Sequence, residues 1–243
     1  MVPGRTVREC AVVVPAHNEE QLIGETLDSL TAAACHAGVT LRLVVVADSC
    51  TDDTAAIATG HGADVIAISA LCVGAARRAG FAHVLGSGCA AGSGRATPSG
   101  GIPDWCATTD ADTVVPLDWF SRQEAHRDRG ADVVSGTVTL RAEGDRPGHH
   151  GAWLEVYERR IGSASHSHVH GANLSFTTAA YQSLGGFRPV ASGEDVDLVR
   201  RAERTGLRVV WALDVKVETS ARLLGRAPAG VAADLRAALE ATP

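Results

Sequence analysis

Two carboxylates at i and i+2, Asp110 and Asp112 around Ala111, follow directly on the apolar segment Asp104–Thr109. Continued strand geometry would turn both to one side, and a turn would let them converge on one hard cation. Mg2+ or Mn2+ held by so few protein oxygens keeps waters and is completed by phosphate oxygens of a ligand. The plainer alternative is an Asx turn ahead of a helix that opens at Pro116. A second acidic pair, Glu194-Asp195, begins a segment with helical spacing that runs to Thr205. Acidic residues there favour the N-terminal end of a helix dipole. His166, His168 and His170 alternate, so on an extended segment their imidazoles share a face, and three such ligands could bind zinc. No cysteine stands near them to complete such a site, and His149 and His150, flanked by glycine, read as loop histidines.

The elements that must position these groups come in β-α pairs. Cys10–Pro15 is an apolar run of strand length, Gln21–His36 has helical spacing, and Leu41–Asp48 is a Val-rich strand. Helix Asp52–Thr59, strand Ala63–Ser69 and helix Val73–Leu85 follow. Three successive β-α units imply a parallel sheet covered by helices, with ligands beyond the C-terminal strand ends. Pro15, Ala16, His17, Asn18, Asp48 and the residues after Ser69 are therefore expected along one edge, together with Asp110 and Asp112. Gly86–Gly101 reads as a surface loop. Beyond it come helix Pro116–Arg129, strand Ala131–Leu140, helices near Trp153–Ile161, Thr177–Leu184 and Glu194–Thr205, strand Arg208–Leu213, and a tail helix Ala227–Ala241. Trp105, Trp119, Trp153 and Trp211 are core residues by default.

Composition bounds the function. The 243 residues, 45% apolar and 21% charged, fit one globular domain spanning 1–243. A net charge of −6 gives no global attraction to nucleic acid or anionic lipid, so nucleic acid is not an expected partner. The 21 arginines against the single Lys216 are read as base-composition bias. The six cysteines form no C-x-x-C pair and read as reduced thiols. Neither G-x-G-x-x-G nor G-K-[ST] occurs. The apolar run ending at Pro15 is too short for a signal peptide, and no stretch approaches ~20 apolar residues. A cytoplasmic protein, with room for peripheral contact with a membrane, is expected.

Several segments in order resemble the family 2 glycosyltransferases, which have the GT-A fold. Val12-Val13-Val14-Pro15-Ala16-His17-Asn18-Glu19-Glu20 is similar to that family's opening strand and turn. Val46-Ala47-Asp48-Ser49-Cys50-Thr51-Asp52-Asp53-Thr54 is similar to its second strand and turn. Thr109-Asp110-Ala111-Asp112-Thr113 matches its D-x-D signature, and Gly193-Glu194-Asp195-Val196-Asp197-Leu198 its later Glu-Asp motif. Gly74–Gly80, Gly171-Ala172-Asn173 and Gly185-Gly186-Phe187 agree as well. The likeness runs over residues 10–226.

The resemblance implies a GT-A-like α/β fold, a mostly parallel central sheet flanked by helices with a less regular acceptor-side second half. Residues 1–115 would bind the nucleotide, 116–226 would bind the acceptor and carry catalysis, and 227–243 would be a terminal helix. It implies sugar transfer with inversion from a nucleotide-diphosphate donor to the hydroxyl of a small or lipid-linked acceptor, assisted by Mg2+ or Mn2+. Pro15, His17, Asn18 and Glu19 would line the nucleoside pocket, Asp48 would meet base or ribose, and Arg77 would lie near base or phosphates. Asp112 would be nearest the metal, Asp110 and Ala111 beside it, and Asp195 with Glu194 would supply the base. Gly171, Ala172, Asn173, Trp153 and the three alternating histidines would form the acceptor side.

The sequence departs from the family pattern in two places. Val217–Arg222 lacks the histidine that often completes the metal site, so Glu218 or a water would substitute. Ala47 replaces an acid often found before Asp48. Arg222 and Arg226, four apart, would close over the diphosphate with bidentate guanidinium groups, or else form a solvated basic face. A sugar-phosphate nucleotidyltransferase is the alternative enzyme, but its Gly-rich phosphate loop after strand one is missing; a non-catalytic nucleotide-sugar-binding protein is the alternative from another class.

Overall fold

The computed structural model describes residues 8–86, 101–141, 157, 161–162 and 165–221. Trp153, Arg222, Arg226, the tail helix and most of the Gly-rich loop lie outside them. The elements in chain order are β1 (Arg8–Ala16), α1 (Ile23–Ala37), β2 (Val39–Asp48), α2 (Thr54–Gly60), β3 (Asp64–Ile68) and α3 (Val73–Val84). They continue with β4 (Trp105–Thr108), β5 (Thr113–Val114), α4 (Trp119–Asp128), β6 (Val133–Arg141), a 3-10 turn (Gly171–Asn173), β7 (Leu174–Thr177), α5 (Thr178–Ser183), α6 (Glu194–Arg204) and β8 (Val209–Ser220).

The strands form one sheet in the order β3-β2-β1-β4-β7-β6-β8-β5. β1, β2, β3 and β4 pair in parallel, as do β6 and β8, whereas β7 and β5 pair antiparallel to their neighbours. The C-terminal ends of β1, β2, β3, β4, β6 and β8 therefore share one edge with the start of β7. This is the edge at which an α/β sheet presents its ligand site.

Period-two alternation sends the β1 valines to opposite faces. Val12 and Val14 join Val45, Ile23, Leu27, Leu30, Trp119 and Phe120 in one core, under α1 and α4. Val13 joins Val44, Val46, Phe81, Phe176, Phe187 and Leu198 in the other, under α3 and α6. Both faces of β1 are dry, which is why it reads as a continuous apolar run. α1 ends at Gly38, whose left-handed backbone (φ 65°) lets its N–H reach the carbonyls of Ala34 and Cys35.

Most boundaries fall within two residues of the expected ones. Helix α4 begins three residues after Pro116, whose carbonyl instead accepts the Trp119 N–H. The larger difference is β8: it runs to Ser220, seven residues past the expected Leu213, and its end pairs with the unforeseen β5. Its alternation continues to Thr219, with Val215, Val217 and Thr219 buried and Lys216 and Glu218 exposed, and the last residue, Ser220, is buried too.

Candidate active site

The β1–α1 and β2–α2 turns are laced together. Asn18, in the left-handed region at φ 53°, accepts the Thr51 N–H on Oδ1 at 2.7 Å. Glu19 N–H donates to Thr54 Oγ1 (2.7 Å), whose hydroxyl donates to Asp52 Oδ1 (2.5 Å). Glu20 N–H donates to Asp52 Oδ2 and Asp53 N–H to Glu20 Oε2, so each turn caps the other. His17 Nδ1–H donates to the Asp48 carbonyl at 2.7 Å. Asp48 itself is buried, and its carboxylate accepts the N–H groups of Ala70, Leu71 and Cys72 at 2.7–2.9 Å and the Ser49 hydroxyl at 3.1 Å. Burial opposes its ionisation, but the amides of Cys72, Ala70 and Leu71 outweigh this and hold the carboxyl below its usual range. Pro15, His17, Asn18, Glu19 and Asp48 thus lie together at the C-terminal ends of β1 and β2, with Asp48 fixing the turn that enters α3.

Asp110-Ala111-Asp112 forms a turn closed by Thr113 N–H to the Asp110 carbonyl. Ala111 is buried and its carbonyl accepts the Thr26 hydroxyl of α1 at 2.9 Å, while Asp110 and Asp112 stay half-exposed. The end of β8 clamps the same turn: Ser220 N–H donates to the Asp112 carbonyl and Thr219 Oγ1 to Asp112 Oδ1. A threonine hydroxyl, not Glu218, is what β8 brings to Asp112. Among the described residues no group of three or more His, Cys, Asp or Glu is placed to hold a metal. Two hard carboxylates on an open turn still fit Mg2+ or Mn2+ if phosphate oxygens and water complete the shell.

Arg77 of α3 ties this turn to the acidic pair. Its side chain is 3% exposed; Nε donates to Thr108 Oγ1 at 3.2 Å, Nη2 meets Asp110 Oδ1 at 2.5 Å, and Nη1 pairs with Glu194. Burial disfavours its charge, but Asp110, Glu194 and Asp195 together raise its pKa. For Glu194, burial pushes the carboxyl up, Arg77 opposes, and Asp195 and Asp110 add to the rise. Asp195, beside it and half-exposed, accepts Gly171 N–H on Oδ2 and Val196 N–H on Oδ1, each at 2.7 Å. Its orientation is therefore fixed from two sides, and each oxygen keeps a second lone pair.

The acceptor-side residues separate into two kinds. Gly171 lies against both Asp195 and the guanidinium of Arg77. Asn173 points into the interior: Nδ2 donates to the carbonyls of Thr137 (2.8 Å) and Val215 (2.9 Å), and Oδ1 accepts Trp119 Nε1–H (3.0 Å), pinning α4 to β6 and β8. The three histidines share a face, as their spacing suggested, but they stack. Neighbouring ring centroids lie 6.1 and 5.7 Å apart, and Tyr157 stacks on His168 at 3.8 Å. His166 donates from Nε2 to the Ser135 carbonyl and accepts the His168 N–H on Nδ1, so it is neutral and both nitrogens are used. Stacked rings with such bonds do not converge on zinc. His170, adjoining Gly171, has a buried Nε2 with no hydrogen-bond partner among the described residues, and burial, with His168 and His166, lowers its pKa to about 3.

Two residues were not singled out from sequence. Thr108 carries Arg77, and its own hydroxyl donates to the Val13 carbonyl at 2.8 Å. Arg201 holds the Gly185–Phe187 turn through the carbonyls of Leu184 and Gly186 and pairs with Asp197 at i−4. Phe187 in turn lies 6.0 Å from the Arg77 guanidinium. The i, i+4 spacing of Asp197 and Arg201 was the available signal for the second; nothing marked Thr108.

Among proteins of known function, the undecaprenyl-phosphate 4-deoxy-4-formamido-L-arabinose transferase of Klebsiella pneumoniae is 28% identical over 188 residues. That match covers 64% of this chain, which spans about half the length of the relative. Among solved structures, the mannosyltransferase PcManGT from Pyrobaculum calidifontis, in complex with GDP-Man and Mn2+, superposes with a TM-score of 0.65 at 20% identity, covering 91% of this chain and 59% of that one. TarS 1–349 of S. aureus, in complex with UDP-GlcNAc, superposes with a TM-score of 0.61 at 18% identity, covering 92% and 62%. The fold is that of the GT-A glycosyltransferases. Residues 8–230 match the family described as Glycosyltransferase like family 2, and the chain belongs to that family.

Proposed function

We propose that the protein transfers a sugar from a nucleotide-diphosphate donor to an acceptor hydroxyl, with inversion at the anomeric carbon. The observation that carries this reading is the meeting at one sheet edge of the Asp110-Asp112 turn and the oriented carboxylate of Asp195. Asp195 takes the proton of the acceptor hydroxyl as its oxygen attacks the anomeric carbon. The bond from that carbon to the diphosphate breaks on the opposite face, and the diphosphate leaves with the electron pair. A divalent cation, when bound, neutralises charge on the leaving diphosphate. Asp112 would hold it, with Asp110 assisting. Pro15, His17, Asn18 and Glu19 line the nucleoside pocket, and Asp48 shapes it by holding residues 70–72. The acceptor is a small molecule or a lipid-linked one. The latter would bring the protein into peripheral contact with a membrane surface. No helix among the described residues is long and apolar enough to cross a membrane.

Thermal unfolding with UDP, GDP, CDP, ADP and dTDP, each with and without Mn2+, tests the reading. At 100 times Kd a ligand adds ~2.7 kcal/mol, and a chain of this size gains ~2–4 °C per kcal/mol, so the right diphosphate should raise Tm by ~5–10 °C. Asp112→Ala should remove the Mn2+-dependent part. No shift with any diphosphate in the presence of Mn2+ would refute donor binding.

A further inference from the structure

Asp110 already has a cation, and the chain supplies it. The Arg77 guanidinium lies 2.5 Å from Asp110 and also pairs with Glu194, and Thr108 anchors its Nε. It has little freedom to withdraw. Gly171 packs so closely that a Cβ there would lie 2.5 Å from Arg77 Cζ, and Phe187 stands on the guanidinium at 6.0 Å. A divalent ion arriving alone at the Asp110-Asp112 turn therefore meets one carboxylate whose charge is already partly offset. It also meets a fixed positive charge within contact distance of that carboxylate. The guanidinium is 3% exposed and the Asp110 side chain 40%, so the repulsion acts from the buried side of the turn and is reduced, not removed, by solvent on the open side.

We propose that Arg77 is an internal counter-ion that keeps the Asp110-Asp112 turn from holding a free divalent cation, so that the cation enters together with the donor diphosphate. This rests on the metal-assisted reading above. The diphosphate contributes the oxygens and negative charge that the turn lacks, which offsets the repulsion from Arg77. Arg77 is on this account a positioning residue: it fixes Asp110 and Glu194 and sets the order of binding, without touching the sugar. It also explains how two half-exposed carboxylates and a buried glutamate coexist in one site before any ligand is bound.

Mn2+ titrations followed by electron paramagnetic resonance test this without any sugar substrate. Wild type should bind Mn2+ alone weakly and retain it when UDP or GDP is added. Arg77→Gln should bind Mn2+ alone at least ~tenfold more tightly, equivalent to ~1.4 kcal/mol. The double variant Arg77→Gln with Glu194→Gln removes the guanidinium and its buried partner together, keeps the net charge and should show a smaller gain, because a negative charge leaves with the guanidinium. Adding Asp112→Ala should abolish it. A gain in affinity cannot arise from a loss of folding. Equal or weaker Mn2+ binding in the double variant overturns the proposal, as does wild type that binds Mn2+ alone as tightly as with the diphosphate. Failure of every diphosphate to retain Mn2+ on wild type would instead refute the metal-assisted transferase reading, while a gain in the variants would still establish Arg77 as the counter-ion.

Discussion

Gly171→Ala is expected to damage stability and turnover together. The backbone of Gly171 is not in the left-handed region, so the cost is steric alone. The new Cβ would lie 2.5 Å from Arg77 Cζ and 2.7 Å from its Nη1, about 1 Å inside ordinary van der Waals contact. The guanidinium cannot slide away, because Thr108, Asp110 and Glu194 hold its three nitrogens. Relief requires either breaking one charge-assisted hydrogen bond, ~1.5–3 kcal/mol, or overpacking, ~1–3 kcal/mol. A loss of ~2 kcal/mol corresponds to a Tm about 4–8 °C lower for a chain of this size. Because Gly171 N–H also orients Asp195, turnover per folded molecule should fall as well. Scanning calorimetry of Gly171→Ala beside Gly60→Ala, where nothing lies within 4 Å of the added methyl, separates this clash from any general effect of alanine. A Gly171→Ala protein melting within ~1 °C of wild type would show that the packing of Arg77 against Gly171 is not as tight as drawn.

Asp195→Asn should leave nucleoside diphosphate affinity within a few-fold and reduce turnover by ~10²–10⁴, measured by steady-state kinetics; near-normal turnover would reduce Asp195 to a helix-start residue. Asp48→Ala should cost ~1–3 kcal/mol in urea unfolding at neutral pH, because three amides lose their acceptor. Its folded pKa is depressed, so this stabilisation is present above the unfolded value near ~3.9 and is lost as pH falls through the folded value. The two proteins should therefore converge in acid. For His170 the folded pKa of about 3 lies below the unfolded ~6.5, so the folded state binds fewer protons between them. Wild type should lose stability on acidification below ~6.5, at a slope approaching ~1.4 kcal/mol per pH unit, and His170→Phe should flatten that slope in pH-dependent unfolding.

The β-α order and the shared edge were legible because buried parallel strands must be apolar on both faces, and Val12–Val14 and Val44–Val46 announce that directly. The end of β8 was not legible. Lys216 and Glu218 alternate with Val215, Val217 and Thr219, a pattern of period two, but the expected strand stops at Leu213, and the partner of its true end, β5, is only two residues long. The consequence reaches the site, since it is β8 that delivers Thr219 and Ser220 to Asp112.

The chemistry-bearing residues were easier to find than their orientations. Asp110, Asp112, Arg77, Glu194 and Asp195 were named from spacing and resemblance, yet sequence alone cannot say which carboxylate faces which cation. Asp48 and Asn173 show the limit most clearly: both have residue types suited to a ligand, and in the fold their polar atoms meet backbone amides or carbonyls and the indole of Trp119. A buried acid or amide must first satisfy the backbone around it, and only what that leaves over can meet a substrate. Asp195 differs because its two amide bonds occupy one lone pair on each oxygen and leave the second, on a side chain that is still half-exposed. That remainder, rather than the identity of the residue, is what makes it the base of the proposed reaction.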